Sequence, residues 1–293
     1  MGFAVSIDGR VGSPEEVTLK VTDNGFVFGD SAYETLRTYG GRPFELDRHL
    51  LRLRRSIALL GFELKPSDDE IKARIDACLS FAGNNESYLR VIVSRGVGDM
   101  SYRFERIPEP TIAMYVKPLE PSNEALYEKG ASAVIVSIRR NPIEALNPAI
   151  KASNLLNNAL ATREAYAKGA FEAILLNTRG EVAEGAGSNV FIVKAGRLLT
   201  PPLSCGLLAG ITREMVLEIA AATGVPFEER VLSADDLKSA DELFITSTLK
   251  ELAPMVTLDG VSIGSGVPGP VTKALLKAYR ARIYAADATR SSR

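Results

Sequence analysis

The chain has 293 residues, 46% hydrophobic and 24% charged, a length above the usual single domain that leaves room for one large core or two smaller ones. Its net charge of -1 supplies no pull toward nucleic acid or anionic lipid, so the expected partner is a small molecule. Two scattered cysteines, Cys78 and Cys205, argue against a disulfide framework and for a reducing, cytoplasmic compartment, and a single histidine, His49, argues against a histidine-built zinc site or a Ser-His-Asp triad, so no metal is expected.

The N-terminus enters Ala4-Val5-Ser6-Ile7 without a basic region or long apolar core, so no leader peptide is expected, and no stretch approaches the ~20 apolar residues of a membrane span. Asp8-Gly9-Arg10 is hairpin chemistry between a first strand and a second expected over Glu16 to Val21. Asn24-Gly25 reads as a breaker. Tyr33 to Tyr39, the Gly40-Gly41 turn and the return through Phe44 predict a second hairpin. Leu46, Leu50, Leu53, Ile57 and Leu60 repeat at helical spacing, with Arg48, Arg52, Arg54 and Arg55 on other faces and Gly61 as the stop. Ser67 and Glu70 form a capping box that opens a helix to about Phe81. Tyr88 to Ser94 and Thr111 to Val116 predict strands, and the basic loop Arg95 to Arg106 between them is long enough to be a lid or substrate loop.

The pattern lapses between Lys117 and Gly130, which predicts a small N-terminal α/β domain over 1–118, a connection over 119–130 and a larger second domain over 131–293. That second half predicts a strand at Ala131 to Ile138 and a helix from Ser153. Strands follow at Glu172 to Leu176, Val190 to Val193 and Arg197 to Thr200, then a helix at Thr212 to Thr223. Strands near Phe227 and at Glu242 to Thr246, a last helix at Val271 to Tyr284 and a frayed ATRSSR tail complete it.

Four places carry chemistry. Lys151 emerges from apolar Pro148-Ala149-Ile150, and a desolvated lysine is a nucleophile able to form a Schiff base, although a surface lysine at a helix start reads the same way locally. Glu184 lies between Ala183 and Gly185-Ala186-Gly187, too small to shield it, and must be exposed or paired with a cation; a shared cleft with Lys151 is expected. Gly210 before Ile211 and Thr212 can open a helix whose free N–H groups cradle a phosphate, or can simply be a cap. Thr246-Ser247-Thr248 places hydroxyls at a strand's C-terminal edge, followed by Leu249; a hydroxyl-rich turn is the alternative.

FGDSAYETLR, HLLRLRRS, YLRVIVSRG, IKASNLLNN, EGAGSNVFIV, LLAGITRE and ELFITSTLKELAPM, in this order and over nearly the whole chain, resemble the fold-type IV pyridoxal-phosphate enzymes. That family includes branched-chain aminotransferases, D-amino-acid and R-amine transaminases and aminodeoxychorismate lyases. The resemblance implies a mixed α/β, two-domain fold whose larger domain has a β-barrel-like core with flanking helices. It implies pyridoxal 5'-phosphate as cofactor, amino-acid and 2-oxo-acid substrates, ping-pong transamination, and a homodimer with interfacial sites. Carried over residue by residue, Lys151 would bond the cofactor and shuttle the proton, and Glu184 would face the pyridine nitrogen. Arg52, Ile211, Thr212, Ser247 and Thr248 would serve the phosphate end. His49 is expected to be structural.

For substrate, Tyr88 and Arg90 resemble the Tyr-x-Arg that branched-chain enzymes place beside the carboxylate, with Tyr33 as an aromatic wall and Leu249 on the substrate side. FGDSAYETLR is nearer the D-amino-acid and lyase pattern, and Leu156 stands where branched-chain relatives tend to have a tyrosine. The Arg-x-His trap of D-selective enzymes would fall near Met100-Ser101-Tyr102, where neither residue is found; Arg95 or Arg103 could substitute. A branched-chain-like transaminase therefore leads, followed by D-amino-acid or R-amine transaminase, the lyase, and a non-catalytic cofactor-binding protein.

Overall fold

A computed structural model of the chain describes residues 2–99, 101–103, 109–121 and 123–290, with backbone only over 284–290. They form two compact units, Met1–Pro121 with Ile150–Asn154, and Ser122–Ala149 with Leu155–Arg293. Residues 100 and 104–106 of the expected basic loop, and 291–293 of the expected tail, lie outside the described residues.

The first unit is an antiparallel sheet of β1 (Ala4–Ile7), β2 (Arg10–Gly12), β3 (Ser31–Tyr39), β4 (Arg42–Pro43), β5 (Ser87–Ser94) and β6 (Thr111–Pro118), in the order β2-β1-β6-β5-β3-β4. Strand alternation sorts the side chains by face. Leu36, Leu89, Val91, Val93, Ile112, Met114 and Val116 bury against α2 (Leu46–Leu59) and α3 (Asp68–Ala82) through Leu50, Leu53, Ile57, Ile71 and Ile75. Each such side chain contributes about 1.5–3 kcal/mol by leaving water. The capping box is present: Glu70 N donates to Ser67 Oγ at 3.2 Å and Ser67 N donates to Glu70 Oε2 at 2.7 Å.

Two expectations fail here. Residues 16–21 form no strand, because Glu16 and Val17 both donate their N–H to Ser13 O at 3.1 Å while Ser13 N donates to Glu16 Oε2, closing a local turn beside Pro14. Asn24-Gly25 opens a short helix, α1 (Asn24–Phe28), because Asp23 accepts from Gly25 N at 2.8 Å as its cap.

The second unit has α4 (Glu124–Lys129), β7 (Ala131–Ile135), α5 (Leu156–Ala167), β8 (Glu172–Leu176), β9 (Val182–Gly185), β10 (Asn189–Lys194) and β11 (Arg197–Thr200). It continues with α6 (Ile211–Thr223), β12 (Phe227–Glu229), α7 (Ala234–Lys238), β13 (Glu242–Ser247), β14 (Glu251–Leu258), β15 (Val261–Ser262) and α8 (Pro270–Arg290). The sheet order is β12-β11-β10-β13-β14-β7-β8-β9, with β15 paired to β14. β9 ends this order, yet only residues 186–188 separate it from β10, and Gly185 N donates to Ser188 O at 2.7 Å. So short a connection forces the run from β10 to β9 to curl back on itself, which makes the core barrel-like. Ile174, Val182, Val190, Ile192, Leu243, Ile245 and Met255 fill it.

Several boundaries differ from expectation: β7 stops at Ile135 rather than Ile138, and α8 runs on to Arg290, through residues 288–290 of the expected frayed tail. Helix α4 lies within the expected 119–130 connection and packs on β14. Residues 150–154, expected inside a 131–293 domain, cluster with the first unit, since Ser153 N donates to Ser31 O at 2.9 Å. The same bond delays the helix expected from Ser153 until Leu156. Strand β14 was not foreseen: Pro254 lies in it, opposite Phe244, and proline inside a strand pattern argues against a ladder position. Among the described residues no helix is long and apolar enough to cross a membrane, and no acid, histidine and cysteine cluster could hold a metal.

Candidate active site

In the first unit Lys151 is held by its backbone. Its N–H donates to Ser56 Oγ at 3.1 Å and its carbonyl accepts from Tyr33 N at 2.9 Å. The segment thus runs beside the start of β3, with Ala152 bridged to Ala32. The Lys151 Nζ stands 4.6 Å from the Tyr33 ring centroid, and the Arg90 guanidinium stands 4.5 Å from the same ring. Burial raises the Tyr33 pKa above its ordinary value, so this phenol stays protonated at neutral pH.

One step along β3, Glu34 is almost wholly buried and accepts from Arg52 Nε and Nη2, both at 2.7 Å, and contacts His49 Nδ1 at 2.7 Å. Burial raises the Glu34 pKa, but Arg52 and then His49 outweigh it and hold the carboxyl down at about 2. Burial lowers the His49 pKa against the opposing pull of Glu34, so the imidazole is neutral; its Nε2 is buried without a hydrogen-bond partner. Of the other arginines of α2, Arg48 pairs with Glu45, and Arg54 holds Asp68 and the carbonyls of Leu64 and Pro66.

Tyr88, Arg90, Tyr115 and Lys117 share the sheet face with Tyr33, because Arg90 stands opposite both Thr35 and Tyr115, and Tyr88 opposite Lys117. Arg90 Nε donates to Thr35 Oγ1 at 3.2 Å, Tyr88 and Tyr115 stack at 5.7 Å, and Lys117 Nζ lies 5.3 Å from the Tyr88 ring. Burial pushes the Tyr115 pKa to about 12. Among the described residues neither Arg90 nor Lys117 pairs with a carboxylate. Arg95, considered as a substitute carboxylate binder, is instead 2% exposed and committed to Asp30 and to Ser101 O.

The second unit gathers the remaining residues. Glu184, on β9, is 5% exposed; its Oε1 accepts from Arg140 Nε at 2.7 Å and its Oε2 from Leu208 N at 3.0 Å. The cation demanded by its small neighbours is therefore present within the chain. Leu208 O in turn accepts from Asn189 Nδ2 at 2.9 Å, and Asn189 stands opposite Thr246 on β13. Gly210 is the N-cap of α6 and no side chain caps it, so the first N–H groups, at buried Ile211 and Thr212, keep their donor capacity. A Cβ at Gly210 would fall 1.9 Å from Asn189 Oδ1, which explains glycine there without any unusual backbone angle. Thr246 Oγ1 is buried with no partner. Ser247 Oγ accepts from Lys250 N at 3.1 Å, which shapes the turn holding half-buried Thr248 and Leu249, while Leu156 is 71% exposed on α5.

Glu34, Tyr115, Lys117, Arg140 and Asn189 escaped the sequence reading. Tyr115 and Lys117 were within reach of it through the two-residue alternation of β6. Arg140 had no local signal, since its partner lies 44 positions away.

Residues 31–258 match the model of the amino-transferase class IV family. A Methanocaldococcus jannaschii protein provisionally named branched-chain-amino-acid aminotransferase is 37% identical over 276 residues, covering 94% of this chain and 95% of the relative. A Bacillus licheniformis D-alanine aminotransferase is 36% identical over 270 residues, covering 92% and 93%. The crystal structure of the branched-chain amino acid aminotransferase from Thermobaculum terrenum in its PLP-bound holo form superposes with a TM-score of 0.85 at 29% identity, over 96% of this chain and 94% of that one.

The residues present fit such a cofactor by their chemistry. A pyridoxal ring needs an amine, an anion for its protonated nitrogen and donors for its phosphate. Groups of each kind are present: the Lys151 amine in the first unit, and in the second unit the Glu184 carboxylate and, as donors, the uncapped start of α6 and the orphaned Thr246 hydroxyl.

Proposed function

The chain belongs to the class IV aminotransferases, enzymes that use pyridoxal 5'-phosphate, and from that premise we propose that it exchanges an amino group between an apolar, branched-chain-type amino acid and 2-oxoglutarate in a ping-pong cycle. The observation that carries this reading is the Tyr33 ring, which contacts both Lys151 Nζ and Arg90. The two cations thus lie within about 9 Å of one another, near enough for one amino acid to present its Cα to the amine and its carboxylate to the guanidinium.

The bound cofactor supplies the electron sink that makes the substrate Cα–H acidic. Lys151 Nζ takes that proton and returns it, in keeping with a backbone pinned at Ser56 and Tyr33. Glu184 serves the ring nitrogen. Arg52, the N–H groups of Ile211 and Thr212, and the hydroxyl residues Ser247 and Thr248 serve the phosphate; for Arg52 the support is a guanidinium held rigid by Glu34. Tyr33, Tyr88, Arg90 and Leu249 receive the substrate, and the tyrosine-rich, acid-free sheet face suits an apolar side chain and a carboxylate in turn.

A second reading, a D-amino-acid transaminase, is favoured by the 36% identity to the B. licheniformis enzyme. The test is one panel: holoenzyme with L-leucine, D-alanine, an R-amine and aminodeoxychorismate, following 2-oxo-acid turnover and pyruvate release. Leucine turnover supports the first reading, D-alanine alone the second, and pyruvate release from aminodeoxychorismate the lyase; no turnover of any donor overturns the proposal. The homodimer is part of the same reading, with sedimentation velocity as its measure. Cytoplasmic residence is supported by the two buried free thiols.

A further inference from the structure

Glu184 has both carboxylate oxygens occupied by donors, one charged and one from the backbone. The charged donor is itself anchored. Arg140 is 9% exposed, its backbone N donates to Leu176 O at 2.9 Å, and its Nη1 donates to Asn157 Oδ1 at 3.3 Å. Asn157, near the start of α5, is fixed by donating Nδ2 to Arg139 O at 2.8 Å. The other acid of this neighbourhood, Glu172, is committed elsewhere, to Lys250 Nζ at 2.8 Å and to the N–H of Ala173 and Ala186.

A carboxylate that accepts from a guanidinium and from an amide loses both bonds' advantage if it takes up a proton. We propose that Arg140 is a positioning residue that keeps Glu184 ionised and fixed in orientation, so that the proton the carboxylate shares with the cofactor's ring nitrogen stays on the ring. The inference rests on the assignment of Glu184 to that nitrogen. Without Arg140, Glu184 loses its guanidinium donor, becomes the stronger base and draws the proton to itself. The ring then loses positive charge and with it part of its capacity to accept electrons. The loop that carries Leu208 N also carries Gly210, so the anion and the uncapped helix start share one support.

The test uses holoenzyme and follows the visible cofactor band as a function of pH in wild type, Arg140→Met, Arg140→Lys, Glu184→Gln and the Arg140→Met/Glu184→Gln double variant, with apoprotein melting as the stability control. Arg140→Met is expected to raise the midpoint of the band's titration by about one pH unit and to lower kcat about tenfold at unchanged cofactor content. Arg140→Lys should recover part of the shift, and Arg140→Met should add nothing in the Glu184→Gln background, as for a residue that acts only through another. A wild-type midpoint in Arg140→Met, or shifts that simply add in the double variant, overturns the proposal. If Arg140→Met does not fold, Asn157→Ala replaces it: it keeps the charge but frees Nη1, a smaller shift of the same sign is expected, and an unmoved midpoint overturns the proposal. A Glu184→Gln variant with an unmoved midpoint sinks the ring-nitrogen assignment itself, which separates the two failures.

Discussion

Glu34 receives the Arg52 guanidinium as a two-pronged fork, Nε on one oxygen and Nη2 on the other, each at 2.7 Å, with the carboxylate only 1% exposed. Removing one partner of a buried pair leaves the other charge uncompensated. Glu34→Ala should therefore cost about 3–5 kcal/mol in urea unfolding and weaken cofactor binding, whereas Arg52→Lys, which keeps a charge but loses the fork, should weaken cofactor binding with a smaller stability loss. Equal losses in both measures for the two variants would falsify the view that the fork geometry matters.

The same pair fixes an acid limit. The Glu34 pKa is depressed from 4.5 to about 2, so its stabilisation is complete above 4.5 and is lost as pH falls through about 2. The His49 pKa is also depressed, from 6.5, so its unfolded form takes up protons first and stability begins to decline as pH drops below 6.5. Unfolding free energy measured from pH 8 to 2 should show both declines; His49→Gln should remove the upper one and, because His49 also helps hold the Glu34 carboxyl down, make the lower one smaller.

Lys151→Ala should abolish the visible, borohydride-sensitive band and reduce transamination by about 10⁴-fold or more while leaving the apoprotein melt near that of wild type, since the backbone bonds of residue 151 survive the change. A band that persists in this variant would place the reactive amine elsewhere.

Gly210→Ala sets a methyl 1.9 Å from Asn189 Oδ1, with backbone angles that alanine tolerates. The cost is thus steric: about 1–3 kcal/mol of stability and displacement of the Asn189 bond to Leu208 O. Equilibrium dialysis of the cofactor should show roughly tenfold weaker binding, and inorganic phosphate should protect the variant less than it protects wild type.

Lys117→Gln removes one of the cations on the tyrosine-bearing face, which also carries Arg37 and Arg90. It should raise the KM for 2-oxoglutarate by about tenfold and leave that for a monocarboxylic 2-oxo acid near its starting value. Equal changes for both acceptors would remove Lys117 from substrate selection.

Local chemistry alone determined much of this protein. Leucine spacing marked α2, Ser67 and Glu70 marked the start of α3, and alternation marked β5 and β6, because caps and periodicity act over a few residues. The motifs around Lys151 and Glu184 named the family for the same reason, each being a short run whose residues meet one chemical need. Tertiary structure alone decided what those residues touch. Arg52 meets Glu34 across 18 positions and Arg140 meets Glu184 across 44, pairings that only β3 against α2 and the curled second sheet can make. It also decided where the chain departs from pattern: residues 16–21 spend their donors on a local turn, Pro254 sits within a strand, and residues 150–154 leave the unit of their flanking chain to lie along β3. Hydrogen-bond satisfaction and desolvation are settled by every neighbour in space, and a linear sequence lists only the neighbours along the chain.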